Sequence, residues 1–154
     1  MLRVALVILF SLILGAQTNH IFARTAKVLT LEDAQRISDA AEKYASENNW
    51  HVVIAILDGG GNLIALRRMD GTQVGSIDVA QQKARSAFAF KRSTKVFEDA
   101  VKEGKIQLLS LPGIVAVEGG IPIELDGEII GAIGISGVTS AQDGMIAVAG
   151  LAAL

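Results

Sequence analysis

Residues 119 to 137 run Gly119-Gly120-Ile121-Pro122-Ile123-Glu124-Leu125-Asp126-Gly127-Glu128-Ile129-Ile130-Gly131-Ala132-Ile133-Gly134-Ile135-Ser136-Gly137. Asp126-Gly127 is a tight-turn pair, so Ile121 to Leu125 and Glu128 to Ser136 fold back on each other as a hairpin. The second of these strands does not alternate between polar and apolar residues. A strand of that kind has both faces covered, by helices of its own chain or by a neighbouring subunit. The glycines within it favour close packing against the sheet or against a ligand lying on it.

Working backward, Gly119-Gly120 breaks the chain, Leu111-Pro112-Gly113 stops it, and Ile114 to Val117 between them reads as another strand. An earlier hairpin is formed by His51 to Leu57 and Leu63 to Arg68, joined through Asp58-Gly59-Gly60-Gly61-Asn62. The glycine run has a strand after it rather than a helix, so it makes a turn and not a phosphate cradle. Four helices frame these strands. Thr30 caps the first, with Asp33 completing a capping box and Leu31, Ala34, Ile37, Ala41, Tyr44 and Ala45 on one face. Ser76 can cap the second, which runs to about Phe90, and the third runs from Ser93 or Thr94 to about Glu103. Ser140, with Asp143 at the fourth position, caps the last, which continues to Leu154. The predicted architecture is α+β, a five-stranded antiparallel sheet flanked by helices in the order α-β-β-α-α-β-β-β-α.

Composition narrows the chemistry. The 154 residues are 51% hydrophobic and 19% charged, which places the chain among folded domains rather than disordered ones. Its net charge of −2 lacks the basic surplus that grips nucleic acid. With no cysteine and only His20 and His51, thiolate sites, Cys nucleophiles and multi-histidine zinc centres are excluded, and no metal site is predicted. Arg3 followed by the apolar run Val4 to Leu14 reads as a secretory leader, with cleavage after Ala16 or Ala23, the latter preferred, giving a leader of residues 1–23. That run is too short to span a bilayer, so the mature domain, 24–154, is expected in the periplasm or medium without stable membrane insertion.

Few residues suggest a site. Ser136 lacks the glycine spacing of a nucleophile elbow, and no serine–histidine–acid set is legible. Arg67-Arg68-Met69-Asp70-Gly71 ends a strand with two cations and then turns, a place suited to a carboxylated ligand or to subunit salt bridges. Lys83, among the alanines of the second helix, is a further cation, and His51 opens the first strand.

From Leu29 onward the motifs resemble the GlcG/HbpS family, which also includes the C-terminal domain of PduO-type corrinoid adenosyltransferases. The resemblance rests on Val53-Ile54-Ala55-Ile56-Leu57-Asp58-Gly59-Gly60-Gly61, Arg68-Met69-Asp70-Gly71 and Ile77-Asp78-Val79-Ala80-Gln81-Gln82-Lys83-Ala84. Leu111-Pro112-Gly113, Gly119-Gly120-Ile121-Pro122-Ile123, the run from Asp126 to Gly137, and Gln142-Asp143 complete it. It implies dimers or larger homo-oligomers and non-covalent haem, since relatives include exported and cytoplasmic haem-binding proteins. With the leader, the expected function is that of an exported, non-enzymatic protein of haem or iron handling or redox sensing. Haem ligation near the first helix in this family often uses histidine. Between Leu31 and Asn49 this chain has none, and Lys43 and Tyr44 occupy that neighbourhood. The expected cofactor-binding set is therefore Tyr44 or His51 toward iron, Met69 beside them, and Arg67, Arg68 or Lys83 toward the propionates. The alternative implied is a small-molecule (hydroxy-acid) enzyme or catabolic accessory protein, taking a carboxylate at Asp70 and Gly71 with Gly119 and Gly120.

Overall fold

A computed structural model describes residues 26–154, so the leader expected over 1–23 lies outside the described residues. Helix α1 spans Leu31–Glu47, strands β1 and β2 Val53–Leu57 and Leu63–Arg68, and helices α2 and α3 Ser76–Phe90 and Lys95–Lys102. A 3-10 turn at Ile106–Ser110 precedes β3 (Gly120–Leu125), β4 (Glu128–Ser136) and α4 (Ser140–Leu151). The strands form one sheet in the order β2-β1-β4-β3, antiparallel throughout.

The sheet therefore has four strands, not the five expected, because Ile114 to Val117 is irregular. Its backbone is engaged elsewhere. The Val115 N–H donates to Ser86 Oγ on α2 at 3.0 Å, and the following Glu118 N–H donates to Glu98 Oε2 on α3. Two side chains thus take the backbone donors that a ladder would have used.

Both faces of β4 are covered by the chain itself. On one face Ile54, Ile56, Ile133 and Ile135 pack with Ile37 and Ala41 of α1 and Ile146 and Ala147 of α4. On the other, Val53, Ala55, Leu57 and Ala132 meet Ala80, Ala84 and Ala87 of α2. The result is three layers, with an isoleucine-rich interior on the α1–α4 side and an alanine–glycine interior on the α2 side. At Gly134 the small residues reach their limit. A β-carbon there would lie 2.6 Å from the Ala84 backbone nitrogen and closer still to the Ala80 carbonyl oxygen. Pro122 is tolerated because β3 is an edge strand.

The capping box of Thr30 and Asp33 forms as predicted. At α4 the cap is shifted by one residue: Thr139 and Gln142 make the box, not Ser140 and Asp143. Gly75, not Ser76, occupies the cap position of α2, and Ser76 Oγ instead accepts from Ser136 Oγ at 3.1 Å. Asp58 takes the Gly60 and Asn62 N–H groups in the first hairpin turn; the Asn62 bond in particular holds its carboxyl below the usual range.

Candidate functional site

Lys83 lies on the buried face of α2 and is 1% exposed. Its Nζ donates to Asp143 Oδ2 at 2.7 Å, and Asp143, on α4, is 2% exposed. Since α2 and α4 cover opposite faces of the sheet, this ion pair meets at the end of the sheet where the edge strand β3 begins and β4 ends, beside Gly119 and the Gly137 and Val138 N–H groups. The meeting point is lined by glycine. A β-carbon at Gly119 would stand 2.9 Å from Lys83 Nζ, and one at Gly120 would run into the Lys83 carbonyl. Gly119 also holds φ +126, a conformation that side chains resist. Burial pushes the Asp143 carboxyl up; the Lys83 ammonium and the Val138 and Gly137 N–H groups pull against it without overcoming it.

Beside this pair Glu98 joins α3 to the segment before β3. It accepts from Lys102 Nζ, the Glu118 N–H and Ser140 Oγ. Burial raises its carboxyl, yet these bonds and the Lys102 charge more than offset that and leave it below its ordinary 4.5. A carboxyl depressed in the folded state contributes stability above its unfolded pKa and loses it as pH falls through the folded pKa. The thermal midpoint should therefore drop below about pH 4.5 more steeply in the wild type than in Glu98→Gln. Parallel acid limbs for the two proteins would refute that role.

Over the same sheet edge, on the α1–α4 side, runs a groove of about 460 Å³ lined by Tyr44, Ile121, Met145, Val148, Lys95 and Glu118, with Ser93, Gly144 and Ala149 completing it. Its walls are mainly apolar, and Met145 and Val148 are 52% and 61% exposed. Tyr44 packs edge-on to Trp50, with ring centroids 6.2 Å apart, and its hydroxyl has no hydrogen-bond partner among the described residues. Gly144 leaves room for Glu118, whose carboxylate a β-carbon there would strike.

The residues singled out from the sequence fall into two groups. Lys83, Gly119 and Gly120 come together at the β3 edge, with Tyr44 on the adjoining groove. His51, Arg67, Arg68, Met69, Asp70 and Gly71 sit at the same end of the sheet but on the β2 edge, with β1 and β4 between. Arg67 NH1 is engaged by Asp39 and Glu42 of α1 at 2.7 and 2.6 Å. Arg68 donates to the Thr72 carbonyl, and Met69 packs against the core. His51 is exposed beside Gly71, outside the groove. Lys95, Glu118, Met145 and the partner of Lys83 were not foreseen. One signal for that partner is present: Asp143 is the only charged residue after Glu128, as Lys83 is the only one at the buried alanine spacing of α2.

Among the described residues no cluster of His, Asp and Glu is arranged to hold a metal ion, and no helix is long and apolar enough to cross a membrane. Fold and groove together define a three-layer α+β domain with an apolar, phenol-bearing cleft on one sheet edge. Residues 29–152 match the family model described as haem degrading protein HbpS-like, and the chain belongs to that HbpS-like family. It is 41% identical to Protein GlcG of Escherichia coli strain K12 over 113 residues, 73% of this chain and 84% of GlcG. The structure of Klebsiella pneumoniae protein ORFY superposes with a TM-score of 0.77 at 35% identity, covering 86% of this chain and 94% of ORFY. A PduOC structure described as a haem complex superposes with a TM-score of 0.74 at 31% identity, covering 82% and 94%.

Proposed function

We propose that this chain binds haem or a related tetrapyrrole in the Tyr44 groove. The observation that carries the reading is a half-buried phenol ring in the wall of a mainly apolar cleft. The donor chemistry fits, since tyrosine oxygen serves as a haem iron ligand elsewhere. Ile121, Met145, Val148 and Ala149 supply apolar surface for a flat ring and keep water from one of its faces. When bound, the iron would supply a redox-active centre; the protein's part is to shelter and orient it. Membership of the HbpS-like family and the haem-bound PduOC relative support the reading.

Assembly with further copies belongs to the same proposal. The groove is open, and Ile106, Leu109, Leu111 and Val117 leave large apolar side chains in solvent nearby in sequence. The leader read at 1–23 adds export, tested by whether protein recovered from the periplasm has lost those residues.

Titration with hemin is expected to give a saturable Soret change, weakened about tenfold or more in Tyr44→Phe and unchanged in His51→Ala. Light scattering on the same samples should return a multiple of the chain mass. No saturable spectral change in the wild type, or full binding by Tyr44→Phe, defeats the assignment of this groove.

A further inference from the structure

The cations at the β3 edge differ in how fully their charges are satisfied. Lys83 is enclosed with Asp143, and Lys102 is tightly paired with Glu98. Lys95, the first residue of α3, lines the groove with its side chain half exposed. Its ammonium stands 3.2 Å from Asp99 Oδ1 and 3.5 Å from Glu118 Oε2. Charge-assisted bonds close at about 2.7–2.9 Å, so neither contact is at full strength and the three donors of Lys95 retain capacity.

Glu118 has a side chain only 19% exposed and lies over Gly144. The groove mouth thus already contains a carboxylate, one belonging to the chain itself. We infer that Lys95 receives a carboxylate of the bound ligand, and that Glu118 is the internal occupant this carboxylate displaces. The inference rests on the tetrapyrrole reading, because a haem ring carries two propionates. It reassigns propionate recognition from Arg67, Arg68 and Lys83, which are engaged elsewhere, to a residue at the groove itself.

The test compares hemin with its dimethyl ester, which keeps the ring and iron but lacks the anionic tails, by absorbance titration of the whole protein. Wild type should bind hemin about tenfold more tightly than the ester. Lys95→Met should bring hemin down to the level of the ester without changing ester affinity, and Lys95→Arg should retain most of the preference. Glu118→Gln should tighten hemin several-fold and leave the ester unaffected. Far-UV circular dichroism confirms that each variant is folded. If Lys95→Met weakens both ligands equally or neither, the anchor is overturned while tetrapyrrole binding stands. Failure of both ligands to bind wild type overturns the tetrapyrrole reading and the anchor together.

Discussion

Lys83→Met is expected to lose about 3–5 kcal/mol of folding stability, because it leaves the Asp143 carboxylate buried without its cation. That corresponds to a fall of roughly 10 °C or more in thermal midpoint for a domain of this size. The double variant Lys83→Met/Asp143→Leu should recover most of the loss, since an apolar pair of similar volume avoids desolvating two charges. The raised Asp143 carboxyl agrees with this. A carboxyl pushed up on folding favours the folded state below its unfolded pKa, and that contribution is lost as pH rises through the folded pKa. Its pH dependence is therefore opposite in sign to that of Glu98. Chemical denaturation of the single and double variants checks the coupling. A loss below about 1 kcal/mol in Lys83→Met, or a double variant worse than either single one, would show that the buried pair does not carry this stability.

Gly134→Ala is expected to be at least as damaging, with a loss of about 3 kcal/mol or more and insoluble expression as the visible outcome. The new methyl would enter the Ala80–Ala84 backbone, which cannot rotate aside as a side chain can. Moving α2 outward would open its contacts with β1 and β4 together. Gly75→Ala is the matched control, because nothing lies within 4 Å of its β-carbon position and its φ is −59°. It should stay within about 0.5 kcal/mol of wild type. Equal behaviour of the two substitutions would sink the close-approach account.

Local chemistry made most of the elements readable in advance. Asp126-Gly127, the glycine run after Asp58 and the Thr30–Asp33 box each act within a few residues, and each forms as read. Ile114 to Val117 misled because an apolar run says nothing of where its N–H groups go. Its partners, Ser86 and Glu98, lie 29 and 20 residues from the residues they bind. The groove was hidden for the same reason: Tyr44, Lys95, Ile121 and Met145 come from four different elements. Lys83 was noticed as a cation among alanines, but its position was legible only with Asp143, 60 residues on. Read locally, Asp143 fits a helix cap, but Thr139 and Gln142 fill that role and leave its carboxylate to Lys83.

The two sides of the sheet differ in what separates them from their helices. Toward α2 the spacing is set by main-chain atoms touching alanine and glycine, whereas toward α1 and α4 it is set by branched side chains that can change rotamer. The α2 layer and the sheet therefore act as a stiff chassis. Any accommodation that a guest demands falls to the α1–α4 layer, where the groove lies.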